Sequence, residues 1–366
     1  MQPVQLVMVG GFLGAGKTTL LWEAAKRLAA AGKRVGLLTN DQAPDLVDTA
    51  LLGQEGLSVR EVHGSCFCCN FPGLIRAAEG LCGDIGADVL IAEPVGSCTD
   101  LSATILQPLK DKFAHEFLLS PYSVLADPFR LKEVLTGVQA TMHPSAAYIL
   151  RKQLEEADLI VLNKIDLLYG PEREDLLARL AEAFPGTEVL CLSARTGEGV
   201  GEWLARVTAG GPAGGKIADV DYDTYAEGEA ALGWLNASIQ LTPRDGLPDW
   251  EGFCRGLMES LRDAFRKRRA AVGHVKLILS AAGGRLLANV TSLEGPIDLR
   301  GSMAPRPGEA SLVLNARVEM PPGELESAVR AALAGPAGAG TAVRIVHMQS
   351  LTPGRPRPTH RYGNVI

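Results

Sequence analysis

Six short apolar runs punctuate the first two hundred residues: Gln5–Val9, Val35–Thr39, Val89–Ala92, Ser123–Ala126, Leu159–Leu162 and Val189–Leu192. Each is Leu-rich or β-branched and stops at a polar or glycine-rich turn. Unbroken apolar runs of this length suit strands buried on both faces. Helical patterns lie between them, among them Thr18–Ala30, Leu74–Leu81 and Glu172–Ala183. Strands alternating with helices predict an α/β fold, a mostly parallel sheet with helices on both faces. Such sheets bind ligands beyond the carboxyl ends of their strands.

The rhythm changes after Thr208. The stretch Thr208–Lys216, rich in glycine, reads as a flexible linker. Beyond it Gly233–Leu241 alternates, and Trp250–Ala271 carries an apolar stripe of Phe253, Leu257, Leu261, Ala264 and Phe265. Strand patterns follow at Val275–Ser280, Leu286–Thr291 and Leu312–Met320, then a helix at Glu324–Ala334 and a strand at Val343–Met348. The order β-α-β-β-β-α-β predicts a smaller α+β domain, an antiparallel sheet with two helices on one face in a ferredoxin-like arrangement. The expected organisation is a first domain over 1–208, a linker over 209–225, a second domain over 226–352 and an irregular Pro-rich tail over 353–366.

Composition narrows the function classes. A length of 366 residues fits two domains, and 46% hydrophobic with 21% charged residues is ordinary for globular chains. A net charge of −6 and 5% aromatic residues argue against nucleic-acid and anionic-membrane partners. No apolar run approaches the ~20 residues of a membrane span. The first strand begins almost at Met1, leaving no room for a signal peptide, so a cytoplasmic protein is expected. In that setting seven cysteines, three of them in Cys66-Phe67-Cys68-Cys69, read as thiol chemistry and not a disulfide framework.

Gly11-Phe12-Leu13-Gly14-Ala15-Gly16-Lys17-Thr18 matches the phosphate-binding loop G-x-x-x-x-G-K-[ST] at every position, between a strand and a helix. Glycines let successive backbone N–H groups turn onto a polyanion, and the helix N-terminus adds partial positive charge. Gly11, Gly14, Ala15, Gly16, Lys17, Thr18 and Thr19 are the expected phosphate contacts. Lys17 would reach the β/γ-phosphates and Thr18 would ligate Mg²⁺. Asn163-Lys164-Ile165-Asp166, after the strand Leu159–Leu162, resembles the N-K-x-D guanine-recognition motif. A carboxylate at Asp166 accepts from guanine N1–H and N2–H₂, a donor pair adenine lacks. Ser193-Ala194, one strand–helix unit later, resembles the loop that supports the base.

Glu93-Pro94-Val95-Gly96 resembles the D/E-x-x-G switch that senses the γ-phosphate, and Asn40-Asp41 can bring a second carboxylate toward Mg²⁺. The candidate catalytic residues are therefore Lys17, Glu93 and Asp41, and the candidate Mg²⁺ residues are Thr18, Asp41 and Glu93. Between the two switches lie Cys66, Cys68 and Cys69, just before a helix that Asn70 or Phe71 caps with Pro72 in its first turn. A helix N-terminus lowers thiol pKa, so depressed values are expected. Three clustered thiolates suit a late transition metal. A fourth ligand from His63, Cys98, water or a partner would leave it exchangeable. Cys82, Cys191 and Cys254 sit in apolar runs and read as packing residues. The basic run Arg266–Arg269 reads as a solvated helix end.

The succession of phosphate loop, Cys-x-Cys-Cys, Glu-x-x-Gly and Asn-Lys-x-Asp resembles the CobW/HypB/UreG family of metal-handling GTPases, nearest its CobW-like branch, over residues 4 to 205. The stretch Gln42–Asp48 departs from that family's first switch, and Ser65 stands where a glycine commonly precedes the first cysteine. The resemblance implies that Asn163 and Asp166, with Lys164, bind guanine and that Cys66, Cys68 and Cys69 bind a cargo metal. It further implies GTP with Mg²⁺, a zinc cargo with cobalt or nickel as alternatives, a client metalloprotein or cobalamin-related enzyme, and a GTP-dependent homodimer. The expected function is a GTP-hydrolysing metallochaperone. Two rivals are a GTPase chaperone of a cobalamin enzyme with a structural zinc, and a nucleotide-gated thiol redox sensor.

Overall fold

The computed structural model describes residues 3–40, 47, 57–137, 142–244, 246–304, 306–335 and 340–366. The chain forms two compact units. The first comprises residues 1–42, 52–228 and 355–366; the second comprises 43–51 and 229–354.

The first unit is built on a sheet of eight strands: β1 (Val4–Gly11), β2 (Val35–Asn40), β3 (Ser58–Val62), β4 (Val89–Glu93), β5 (Phe117–Leu119), β6 (Ser123–Ala126), β7 (Leu159–Leu162) and β8 (Glu188–Cys191). The order is β3-β2-β4-β1-β6-β7-β8, with β5 pairing β1, and every pairing among the described residues is parallel. All six apolar runs of the sequence are strands. β2, β4, β6 and β7 are buried throughout, which is why they carry no polar alternation. α1 (Lys17–Ala30) and α7 (Val200–Thr208) pack on one face, where Leu20, Leu21, Ala24, Trp203 and Val207 meet Val7, Ile91 and Val161 in one core cluster. The helices between are α2 (Phe71–Ile85), α3 (Gln107–Lys112), α4 (Pro128–Thr136), α5 (Pro144–Glu155) and α6 (Gly170–Ala183). The ends of β1, β2, β4 and β7 lead directly into the phosphate loop, Asn40, Glu93 and Asn163.

The glycine-rich stretch after Thr208 differs from the expected flexible linker, because it is fastened along the first unit. Gly214 and Gly215 N–H groups donate to the Asp158 carboxylate at 2.6 and 2.7 Å, and Gln107 Nε2 donates to the Gly214 carbonyl at 2.7 Å. The first unit continues into α8 (Tyr222–Ala230), and its boundary falls at Gly228. Residues 355–366 return to it.

The second unit holds an antiparallel sheet of six strands, ordered β12-β11-β10-β13-β9-β14. These are β9 (Gly233–Pro243), β10 (Val272–Ala281), β11 (Gly284–Val290), β12 (Asp298–Met303), β13 (Ala310–Val318) and β14 (Thr341–Leu351), with helices α9 (Trp250–Arg268) and α10 (Pro322–Ala334). Without the β11–β12 hairpin the order is the ferredoxin-like one expected. The sequence pattern missed β12, an edge strand with no buried residue. One apolar core joins Leu235, Ala237, Ile239 and Leu241 to Leu257, Leu261 and Phe265 of α9 and Leu325, Val329 and Leu333 of α10, so both helices cover one face. The run Arg266–Arg269 ends α9 in solvent, with Arg266 paired to Asp263 and Glu294 and Arg268 to Glu324.

Candidate functional site

The phosphate loop forms as its glycines require. Gly11, Gly14 and Gly16 have φ of 128°, 79° and 97°, a region that side-chain-bearing residues rarely enter. At Gly16 a Cβ would lie 2.4 Å from Asn163 Nδ2, so the close approach of the two loops also excludes a side chain. Lys17 is buried, and its Nζ donates to the Gly11 carbonyl at 2.8 Å and lies 3.8 Å from Glu93 Oε1. Thr18 Oγ1 sits 3.1 and 3.0 Å from the two Glu93 oxygens. A hydroxyl and a carboxylate side by side, both hard oxygen donors at the phosphate loop, fit Mg²⁺. Glu93 closes β4, and residues 91–100 are all buried. Asp41 and the stretch Gln42–Pro44 that follows lie outside the described residues.

The base loop is a framework of side-chain bonds. Ser193 Oγ donates to Asp166 Oδ1 at 2.6 Å, which orients a carboxylate that is itself exposed. Asn163 is buried and acts as a strut. Its Nδ2 donates to the Ala15 carbonyl at 2.7 Å, and its Oδ1 accepts from Ala194 N–H at 3.0 Å, tying base loop to phosphate loop. Lys164 has φ of 60° and pairs with Asp127 Oδ2 at 2.6 Å. Burial alone would push the Asp127 carboxyl up, but Lys164 and Arg130 together more than reverse this and hold it below its ordinary value. Asp127 also N-caps α4. Sequence reasoning passed over it, although an Asp-Pro at a strand end is a recognisable helix start.

Cys66, Cys68 and Cys69 converge, with ligand atoms all within 4.8 Å of one another. Cys66 Sγ is 2.8 Å from Cys68 Sγ, which is 3.9 Å from Cys69 Sγ. The loop turns because Cys69 and Asn70 N–H groups both donate to the Cys66 carbonyl, and Asn70 then caps α2 by accepting from Gly73 N–H. Its position comes from Asn40 at the end of β2. Asn40 Nδ2 donates to the Val62 and Ser65 carbonyls at 2.7 and 2.9 Å, and its Oδ1 accepts from Phe67 N–H at 2.7 Å. Sequence reasoning placed Asn40 beside a switch and missed this role; a polar residue at a strand end was the only signal.

Thiol acidity departs from expectation. The Cys68 thiol is pushed well above its ordinary pKa, first by its hydrogen bond with Cys66, then by Cys69, Cys98 and burial. Cys69 is raised to about 11, again first by Cys66 and also by burial, against hydrogen bonds from Cys68 and, more weakly, the Arg357 N–H that lower it. Crowded, buried thiols resist a second negative charge more strongly than one helix terminus favours it. Of the candidate fourth ligands, His63 is exposed, whereas Cys98 is buried and bonds to Cys68. Cys254 packs in the second core as expected, but Cys82 and Cys191 are only half-buried.

Glu156, at the C-terminal end of α5, is fully buried and accepts from Ser102 N–H at 2.8 Å and Thr99 Oγ1 at 3.2 Å. Burial, with help from Asp100, raises it to about 8 from an ordinary 4.5. The folded chain therefore holds a proton that the unfolded chain releases above pH 4.5. Its stabilising share is whole below that pH and is lost as pH rises through about 8. Glu156→Gln, which copies the protonated acid, should exceed the parent chain in stability at pH 9 by on the order of a few kcal/mol and match it near pH 5. Urea midpoints at both pH values provide the check; an equal gap at both would remove the proton-uptake account.

A glycine-rich loop carrying Lys17, a Thr18–Glu93 oxygen pair and the Asn163–Asp166 loop, all at the ends of parallel strands, define a P-loop nucleotide-binding class of protein, here with three convergent thiols in the same unit. The CobW/HypB/UreG nucleotide-binding domain model matches residues 5–190, and the chain belongs to that family. It is 29% identical over 192 residues to the zinc chaperone YjiA of Escherichia coli, covering 50% of this chain and 55% of that protein. It is 49% identical over 91 residues to the hydrogenase maturation factor HypB of Cupriavidus necator, covering 24% of this chain and 25% of that one. The matches thus span about half or less of the relatives' lengths. Among solved structures, Zn(II)-bound YjiA GTPase from E. coli aligns with a TM-score of 0.39 and 18% identity over 90% of this chain and 99% of that one. No helix among the described residues is long and apolar enough to cross a membrane.

Proposed function

We propose that this chain is a GTP-hydrolysing metallochaperone that holds a transition metal at Cys66, Cys68 and Cys69 and delivers it to a client protein or cofactor. One observation carries the reading: three thiols converge on a loop held by Asn40, the residue from which the first switch departs. Lys17 neutralises the β/γ-phosphates, Asp166 selects guanine with Ser193 holding it, and Glu93 orients the attacking water beside Thr18. Mg²⁺, held through Thr18 and Glu93, with Asp41 as the expected further carboxylate, would supply charge neutralisation at the phosphates. Zinc is the favoured cargo, since YjiA and a second matching relative, YeiR, are zinc chaperones by name; cobalt and nickel are the alternatives. The setting is cytoplasmic.

The thiol loop hangs from β2 through Asn40, and Cys98 joins it to the segment leaving Glu93. A nucleotide that reorders either switch then changes the geometry of the thiols. GTP-Mg²⁺ and GDP should give zinc affinities that differ about tenfold, or about 1.4 kcal/mol of coupling. Competition against a zinc indicator in each nucleotide state measures this. Equal affinities in both states would remove the switch, and zinc that resists chelators in both would favour a structural site.

A further inference from the structure

The segment that follows the second unit lies on the thiol loop. Pro356 and Pro358 preset extended backbone and have no N–H to donate, so the donors along this stretch are Arg357 and Thr359. Both are spent on the cluster. Arg357 N–H donates to Cys69 Sγ at 3.1 Å, and Thr359 N–H donates to the Cys68 carbonyl at 2.8 Å. Thr359 Oγ1 adds a bond to the Cys69 carbonyl at 3.2 Å, and the His360 ring meets the edge of Phe71, the first residue of α2, at 5.2 Å between centroids.

Two residues on, the segment is fastened to the chain that continues from the Glu93–Gly96 switch. Arg361 Nε donates to Asp100 Oδ2 at 2.7 Å. Asp100 is fully buried with φ of 64°; Tyr222 OH also donates to Oδ2, and Oδ1 has no hydrogen-bond partner among the described residues. A buried carboxylate in a strained backbone depends on its cation far more than a surface acid does. Tyr362 N–H then donates at 3.0 Å to the carbonyl of Ala103, inside a π-helical turn over Ser102–Leu106.

We propose that residues Arg355–Tyr362 form the outer wall of the metal site, slowing release of bound metal, with the Arg361–Asp100 pair as the latch that holds the wall closed. The proposal rests on the reading of Cys66, Cys68 and Cys69 as the ligands. Release is a ligand exchange without redox change: a metal–sulfur bond breaks, the sulfur takes a proton from solvent, and a donor atom of the acceptor takes the vacated position. The acceptor must reach the metal, and the wall stands on the Cys69 side.

The experiment uses the full chain loaded with one Zn²⁺ and follows zinc transfer to EDTA. Arg357→Pro removes one N–H between two prolines and leaves the latch intact. Arg361→Ala opens the latch, and Arg361→Lys restores part of it. Release should be roughly tenfold faster in Arg357→Pro and faster still in Arg361→Ala, the range typical of groups behind metal ligands. Arg361→Lys should fall between Arg361→Ala and the parent. Should Arg361→Ala not fold, Arg357→Pro decides. Parent-like release in Arg357→Pro, or in a folded Arg361→Ala, overturns the wall. If Cys68→Ser meanwhile still loses zinc, the thiol reading stands without it. Undiminished zinc binding in Cys68→Ser overturns both.

Discussion

Asp166→Asn should exchange the preference of this chain from GTP to XTP. The carboxylate is exposed in the turn Ile165–Leu167, and Ser193 Oγ occupies one position on Oδ1, leaving Oδ2 to face a base. Guanine offers N1–H and N2–H₂ to it, and charge-assisted bonds of this kind contribute about 1.5–3 kcal/mol each. Losing both predicts a fall in GTP affinity of roughly a hundred- to ten-thousandfold. Xanthine carries an acceptor where guanine has N2, so the new amide can donate to it. Ser193 still has an oxygen to bond, so the loop should persist. Calorimetric titration with GTP, XTP and ATP tests this; a variant that keeps GTP and gains no XTP would mean that the base is read elsewhere.

Cys68→Ser should abolish metal retention. This sulfur is the middle of the cluster, a buried free thiol 2.8 Å from Cys66 Sγ and 3.9 Å from Cys69 Sγ. Removing a ligand should exceed the roughly 10- to 100-fold losses seen on changing groups behind ligands, so a drop beyond about a hundredfold is expected. Affinity in the parent chain should also fall steeply as pH falls, because the metal must displace protons from thiols such as Cys69, raised to about 11. Indicator titrations between pH 6 and 8 on both chains measure the two effects. A flat pH profile with Cys68→Ser binding normally would place the metal away from these thiols.

The parts legible in the sequence are those whose chemistry is local. A phosphate loop needs glycines, a lysine and a hydroxyl within eight residues between a strand and a helix, and the chain itself imposes that geometry. Asp166 and Glu93 likewise follow buried strands whose unbroken apolar runs announce them. The strands without such a signature were missed. β3 and β12 lie at the ends of their sheets, pair on one side and bury little, so selection for apolar side chains is weak there.

What only the tertiary structure decided are contacts between segments far apart in the chain. Asn40 reaches the loop of Ser65 and Phe67, Asn163 reaches Ala15, Lys164 reaches Asp127, and Arg361 reaches Asp100 across 261 positions. No spacing rule encodes such pairs, because their distance is set by how the sheet brings strand ends together. The acidity of the thiols belongs to the same class. The order Cys-x-Cys-Cys before a helix suggests a dipole that lowers pKa, but burial and mutual crowding, fixed only when the loop is folded, raise it instead.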